Sequence, residues 1–375
     1  MERTERLRRA LSEPEQWATQ WKAQGGKVIG YLCGNVPEEI IVAAGALPVR
    51  IIGDPGDTRS LANAYLQSNI CPFVRSCLDQ GLKGRFKYLD GLIFPHTCDG
   101  MCRLHDVWKR YISGPFIYLI DFPHRISPLS HSYFLEEIRR MGGAMEELTG
   151  QEISEDSLIR AIEIYNENRR LLKRLYGLRK KPHPRVSGVE VLQILKVGMI
   201  MPKTEHNQWL KDWIKEVEAK EGAIDGKPRI LISGSMLDNP DLVQQIEGAG
   251  CNVVADDLCI GTRYFWDEVI VEADPMEALC RRYLEKVPCA CLHSPRSRLD
   301  HVLLMIKEFE ADGVILYKLK FCDNYHYDAP MFRERLKALG MPVLEFESEY
   351  ASTGYGQLKT RIQAFLEMIS QKGKT

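Results

Sequence analysis

The sequence has 375 residues, which is long for one hydrophobic core and indicates at least two domains. Hydrophobic residues make up 45% of the chain and charged residues 27%, a balance that excludes intrinsic disorder. Fifty basic and 51 acidic residues give a net charge of −1, which argues against a nucleic-acid-binding protein that works through bulk charge.

In the first third of the chain, short apolar strands alternate with helices. After a charged helix at 13–24, strands are predicted at 27–33, 47–52, 89–94 and 114–120. Helices are predicted between them at 37–45, 61–82 (with a break near Pro72) and 103–112. This alternation is typical of a parallel, doubly wound α/β domain.

The C-terminal third repeats this order, with strands predicted at 228–233, 251–255, 311–317 and 340–346. The likeness is closest where Asp90-Gly-Leu-Ile leads to Cys98 and Asp312-Gly-Val-Ile leads to Cys322. Residues 133–221 have a helical pattern, interrupted at 180–184, and a boundary is predicted at 222–227. The sequence therefore predicts an α/β protein with two similar doubly wound parallel-sheet halves joined by a helical connector. The predicted limits are 1–130, 131–225 and 226–375.

Eleven cysteines require an explanation. The N-terminus lacks the apolar stretch of a signal peptide, and no run approaches the ~18–20 apolar residues of a membrane span, so we expect a cytoplasmic protein with no membrane segment. The cytosol keeps thiols reduced, which makes a disulfide framework a poor explanation. Metal or cluster ligation by some cysteines, and burial of the others as small hydrophobic side chains, are the remaining explanations.

Three cysteines lie where an α/β protein binds ligands. Ligands of open α/β sheets bind outside the carboxyl ends of the strands. Cys98 and Cys322 occupy matching loops after strands, and Cys71 precedes Pro72. If the halves face each other, these thiols converge and suit an iron–sulfur cluster, although simple burial in loops explains their spacing equally well.

Two other interpretations stay open for the remaining cysteines. His96, Cys98, Cys102 and His105 are zinc-type ligands within ten residues, but their spacing matches no usual zinc motif. Core packing is the simpler interpretation for the pair in Cys289-Ala-Cys291, whose period-2 spacing puts both thiols on one side of a strand. Cys33 follows a strand and fits either a functional role or loop packing. Burial in the core is expected for Cys77, Cys251, Cys259 and Cys280.

Several long motifs in a fixed order make the sequence resemble the 2-hydroxyacyl-CoA dehydratase and benzoyl-CoA reductase family of iron–sulfur proteins. The resemblance runs from about Gly26 to Ile369. The motifs begin at Lys27 (KVIGYLCGNVPEEI), Ala43 (AAGALPVR), Cys71 (CPFVRS), Asp90 (DGLIFPHTCD), Val254 (VADDLCIGTR), Asp312 (DGVI), Lys320 (KFCDNY) and Thr360 (TRIQAFLE).

The resemblance implies a [4Fe–4S] cluster held by Cys71, Cys98 and Cys322, with Cys33 and Cys102 as additional ligands in a variant such as the family's double-cubane proteins. It also implies a related second core subunit and a separate ATP-hydrolysing iron–sulfur activator. That activator fits the absence of a phosphate-binding loop motif here. The electron passes to a CoA thioester and gives a ketyl-type radical anion.

Connector segments beginning at Ile164, Tyr176 and Met201 look most like benzoyl-CoA reductase small core subunits. Ring reduction of a benzoyl-CoA-type thioester is therefore the first expectation. The alternatives are a (R)-2-hydroxyacyl-CoA dehydratase subunit, a double-cubane reductase and a non-catalytic scaffold subunit.

Glu38, Glu39 and His96 are candidate catalytic residues for proton handling or substrate contact, because each flanks a strand end that faces the predicted cleft. Acidic residues in a first helical turn are also explained by the helix dipole, and a loop hydrogen bond also explains His96.

Overall fold

A computed structural model of the chain describes residues 2–112, 114, 116–180, 184–219, 226–293, 295–351 and 355–372. Within them are two four-stranded sheets, and every strand pair is parallel. The predicted α/β class with two similar halves is confirmed.

The first sheet has the strand order β2-β1-β3-β4. Its strands are β1 (Lys27–Tyr31), β2 (Ala46–Arg50), β3 (Gly91–His96) and β4 (Ile117–Asp121). The helices of this half are α1 (Glu2–Ser12), α2 (Gln16–Ala23), α3 (Glu38–Ala43), α4 (Pro72–Leu82) and α5 (Asp99–Tyr111), with a 3-10 turn at Ala62–Ala64. Every residue of β2 is buried, as expected for a parallel strand covered on both faces.

The second sheet repeats this topology with the order β6-β5-β7-β8. Its strands are β5 (Arg229–Gly234), β6 (Asn252–Asp257), β7 (Gly313–Leu319) and β8 (Val343–Ser348). The helices of this half are α10 (Pro240–Gly248), α11 (Thr262–Phe265), α12 (Pro275–Glu285), α13 (Pro295–Glu308), α14 (Asp323–Ala338) and α15 (Tyr355–Lys372).

Four helices connect the halves: α6 (Pro128–Thr149), α7 (Glu155–Gly177), α8 (Gly188–Gly198) and α9 (Lys203–Glu218). Serine caps begin three of them, because the side chains of Ser127, Ser154 and Ser187 accept hydrogen bonds from backbone N–H groups of the first turn. Helix α7 packs against α3 of the first half and against α11 and α12 of the second. The connector therefore packs against both halves.

The domain limits at 130 and 225 stay predictions. Most of the predicted boundary at 222–227 and the centre of the predicted interruption at 180–184 lie outside the described residues. Among the described residues, no helix is long and apolar enough to span a bilayer.

Candidate functional site

A cavity of about 290 Å³ lies between the two halves, at the carboxyl edges of both sheets. We call it the thiol cavity, because seven of the eleven cysteines line it. They are Cys33, Cys71, Cys98, Cys259, Cys289, Cys291 and Cys322. The rest of the wall is largely apolar, with Ile70, Phe73, Val74, Met101, Met236 and Leu319 among its residues.

Three helices begin at this cavity with a cysteine. Cys71, Cys98 and Cys322 are the N-cap residues of α4, α5 and α14. The N-terminus of a helix carries partial positive charge, which favours a thiolate. The structure thus brings together the three predicted ligands from both halves of the chain.

The three thiols differ in their surroundings. The neighbouring thiol of Cys322 is the main reason why the pKa of Cys71 is lowered. Burial is the main reason why the pKa of Cys98 is raised. The pKa of Cys71 is thus shifted in the opposite direction to the pKa of Cys98.

Four further thiols complete the wall. Cys33 follows β1, as the loop position predicts. The expectation that Cys259 lies in the core is wrong, because it follows β6 and faces the cavity. The sequence did indicate this position on the cavity wall, since Cys259 follows a predicted strand in the same way as Cys98 does.

The strand predicted around Cys289-Ala-Cys291 is also wrong. These residues form a turn between α12 and α13, where the Leu292 N–H donates to the Cys289 carbonyl at 3.0 Å. Pro288, which lacks an N–H, precedes the turn. The expected core packing is nevertheless confirmed for Cys291, which is buried in the core with Cys289 packed against it, and both residues also line the cavity.

The backbone is strained at two positions of the cavity wall. Cys33 has a φ of 63° and Phe321, next to Cys322, has a φ of 58°. Side chains other than glycine rarely adopt this left-handed region, which costs on the order of 1–3 kcal/mol and often marks functional sites. The fold thus maintains an unfavourable backbone at two loops that form the cavity wall.

Cys102 does not line the thiol cavity. His105 Nδ1 lies 3.1 Å from an Asp106 oxygen. Over the described ranges, no three His, Cys, Asp or Glu side chains are placed to hold a single metal ion. The zinc interpretation of the segment from His96 to His105 therefore gains no support.

Glu38 and Glu39 lie outside the cavity wall, in a group that we call the carboxylate cluster: Glu38, Glu39, Tyr165, Arg169, Lys203 and Tyr283. All six side chains are buried. Glu39 forms an ion pair with Arg169 of α7, and the hydroxyl of Tyr283 donates to it at 2.8 Å. Glu38 accepts from the Tyr165 hydroxyl at 3.0 Å and lies 3.8 Å from Lys203 Nζ.

The charges in this cluster are matched. Burial alone raises the pKa of Glu39, but Arg169 and Arg282 reverse that effect, so that its pKa is below the usual value. Burial lowers the pKa of Lys203, and Glu38 opposes that effect. Partners from α3, α7, α9 and α12 make this cluster a joint between the connector and both halves. Both acids also lie in the first turn of α3, where the helix dipole favours them.

His96 is also outside the cavity wall, although the next residue, Thr97, lines it. Its Nδ1 lies 2.8 Å from an Asp121 oxygen, and its side chain is 41% exposed. This contact joins the last residues of β3 and β4, so the structural contact that the alternative interpretation expected in a loop lies at paired strand ends. A role of His96, Glu38 or Glu39 in proton handling stays a prediction.

Comparison with known proteins places the chain among subunits of enzymes named for CoA thioesters. The family model described as "2-hydroxyglutaryl-CoA dehydratase, D-component" matches residues 33–369. A benzoyl-CoA reductase subunit of Thauera aromatica is 33% identical over 362 residues, which cover 94% of each chain. The (R)-phenyllactyl-CoA dehydratase beta subunit of Clostridium sporogenes is 27% identical, with 96% of each chain covered. The beta subunit of (R)-2-hydroxyglutaryl-CoA dehydratase of Acidaminococcus fermentans is 26% identical, with 97% of this chain and 98% of the relative covered.

Proposed function

Because the chain belongs to the 2-hydroxyglutaryl-CoA dehydratase D-component family, we propose that it is the iron–sulfur subunit of a complex that passes low-potential electrons to an acyl-CoA thioester. The observation that carries this proposal is the position of Cys71, Cys98 and Cys322 on one cavity between the halves. We propose these three cysteines as the ligands of a [4Fe–4S] cluster.

The donor set of the cavity fits such a group. Thiolates are the ligands of iron–sulfur clusters, and the wall offers seven cysteines and two Met side chains. The chemistry of these sulfur donors therefore suits a thiolate-bound iron–sulfur group.

A cluster bound here would supply low-potential electrons for reduction of the thioester. The chain's own part is to hold it with thiolates at three helix N-termini and to exclude water with the apolar wall. Asn324 of α14 donates to the Thr97 carbonyl at 3.5 Å, which ties the two halves together beside the cavity.

We propose two partners. The relatives are named as single subunits of their enzymes, two of them as beta subunits, which supports a second core subunit. The sequence has no phosphate-binding loop motif, which supports a separate ATP-hydrolysing iron–sulfur protein as the electron donor. Full turnover with a chemical reductant and no nucleotide would contradict this dependence on ATP.

Benzoyl-CoA-type ring reduction through a ketyl radical anion is the first choice of reaction. Its support is the 33% identity to a benzoyl-CoA reductase subunit, against 27% and 26% for the two dehydratase subunits. Elimination of water from a (R)-2-hydroxyacyl-CoA is the alternative. Assays of the reduced complex with both thioesters decide between ring reduction and loss of water.

Metal analysis of anaerobically purified protein tests the cluster itself. We expect a brown protein with stoichiometric iron and a broad absorption band at about 400 nm. C98S should lose the iron and the turnover while the complex still assembles. The matched control is C102S, at a thiol one helical turn further along α5 and outside the cavity wall, which should keep both.

Three results would contradict the proposal. Colourless wild-type protein with one zinc per chain would refute the cluster. Equal iron loss in C98S and C102S would refute the assignment of ligands. Full turnover of a complex that contains C98S would indicate a scaffold subunit.

A double-cubane reductase is the second candidate, and one observation favours it. Cys33, Cys259, Cys289 and Cys291 face the same cavity as the three predicted ligands. A larger or second cluster would double the iron per chain and make C259S and C289S as damaging to iron content as C98S. Reduction of a small molecule such as acetylene, with turnover of neither thioester, would support this candidate.

A further inference from the structure

Arg50, the last residue of β2, carries a buried charge on the wall of the thiol cavity. Its side chain is only 3% exposed. Within the described ranges its Nε and Nη1 atoms have no hydrogen-bond partner. Its Nη2 donates to the Cys259 Sγ at 3.6 Å, and its Cζ lies 5.8 Å from the centre of the Tyr31 ring.

Two buried arginines of the second half, by contrast, form ion pairs with acids. Arg263 Nε lies 3.2 Å from an Asp257 oxygen, and Arg298 Nη1 lies 2.7 Å from an Asp328 oxygen. No described carboxylate is within ion-pair distance of Arg50. Asp99 and Asp323 also line the cavity, and Glu38 acts on Arg50 only from beyond that distance. Arg50 is therefore a buried charge without an ion-pair partner, and the atom that it contacts on the wall is the Cys259 Sγ.

Such a charge is costly unless something compensates it. A buried, unpaired ion costs several kcal/mol, so a fold that retains one needs a negative partner. The wall itself offers that partner, since thiolates and sulfides bound to metal carry negative charge. The net charge near a cluster and hydrogen bonds to its sulfurs are among the factors that set its reduction potential.

We propose that Arg50 is a positioning residue that balances the negative charge of the thiolate-bound group in this cavity and raises its reduction potential. The inference rests on the proposed function, because it requires a cluster in the cavity. Arg50 acts through its charge and its unpartnered N–H groups, and holds no metal itself.

The test compares R50Q and R50K with wild-type holoprotein in an EPR-monitored redox titration with dithionite and mediators. R50Q removes the charge, so reduction of the cluster becomes less favourable. We expect at least a tenfold change in the one-electron equilibrium constant, or about 59 mV in the negative direction. R50K keeps the charge and should remain near the wild-type potential.

R179Q is the matched control. Arg179 is 1% exposed, has unpartnered Nε and Nη2 atoms, and does not line the thiol cavity. Its replacement removes a buried charge elsewhere in the fold, so the potential should stay at the wild-type value. An equal shift in R179Q and R50Q would overturn the inference, because the effect would then be general.

The iron content separates the remaining outcomes. An R50Q protein with wild-type iron and wild-type potential overturns the role of Arg50 and leaves the proposed function standing. Wild-type protein without iron overturns the proposed function itself. Loss of iron from R50Q but not from R50K supports the inference, since the charge alone is then required. Equal loss from both overturns it, because side-chain shape is then what matters.

Discussion

The carboxylate cluster and the thiol cavity both lie between the halves, but their charged groups are paired to different degrees. Glu39 has Arg169 and Tyr283 as partners, so its charge is balanced within the chain. On the cavity wall, Arg50 has two N–H groups without partners. Complete pairing is typical of a structural joint, whereas the unpartnered nitrogen atoms of Arg50 lie on a cavity that can hold another group.

The largest effect on stability is expected from E39Q. This change leaves the buried Arg169 without its counter-charge, so the free energy of unfolding should fall by about 3–5 kcal/mol. Urea denaturation of the metal-free protein measures it. E38Q is the control, and its free energy of unfolding should fall less. Lys203 Nζ lies 3.8 Å from Glu38 and keeps a second partner, because it also donates to the Gly198 carbonyl. Wild-type stability of E39Q would show that the joint is not structural.

Low pH should reduce the free energy of unfolding through His206 of α9. Burial and, to a smaller extent, Lys203 lower its pKa from 6.5 to about 3. Between these values the unfolded chain binds a proton that the folded chain does not, so stability falls as pH falls below about 6.5. The slope should be about 1 kcal/mol per pH unit.

Denaturation curves at several pH values measure this slope. In H206Q the free energy of unfolding should depend less on pH between about pH 6.5 and 5 than in wild type, because the titrating group is gone. The same slope in H206Q and wild type would assign the pH dependence to other groups.

A smaller loss is expected from Y283F. The change removes one hydrogen bond of 2.8 Å to the charged Glu39 and should reduce the free energy of unfolding by about 1.5–3 kcal/mol. Y327F is the control, since the Tyr327 side chain is 84% exposed. Equal stability of Y283F and Y327F would mean that the Glu39 contact contributes nothing.

The smallest change in stability is expected from C71S in metal-free protein. Cys71 is partly exposed, and its thiol contact with Cys322 is weak, so the free energy of unfolding should change by less than about 1 kcal/mol. Iron binding should nevertheless be lost. A large destabilisation without metal would mean that the cavity is a structural element like the carboxylate cluster.

Local patterns predicted the secondary structure well. Short apolar runs identified all eight strands of the described chain, within a few residues of their limits. The rule that ligands gather at the carboxyl ends of strands predicted that Cys98 and Cys322 lie at one site. These features depend on short-range periodicity and on one topological rule.

Such local patterns could not predict contacts between residues that are distant in the sequence. Glu39 meets Arg169 and Tyr283 across 130 and 244 residues, and no periodicity encodes that pairing. The same is true of Arg50 beside Cys259, 209 residues away. The prediction of a strand around Cys289 and Cys291 was wrong for another reason. Period-2 spacing has meaning only within a strand, and here the chain turns.

The hydrogen bond between Asn324 and Thr97 has a consequence for synthesis of the chain. These residues are 227 positions apart. At about 5–20 residues per second, Cys98 is made roughly 10–45 s before Cys322. During that interval Cys71 and Cys98 lack the opposite wall that shields them, and a nascent thiol is open to oxidation. The three proposed ligands are therefore available together only after Cys322 has been made, and the N-terminal half alone supplies only two of them.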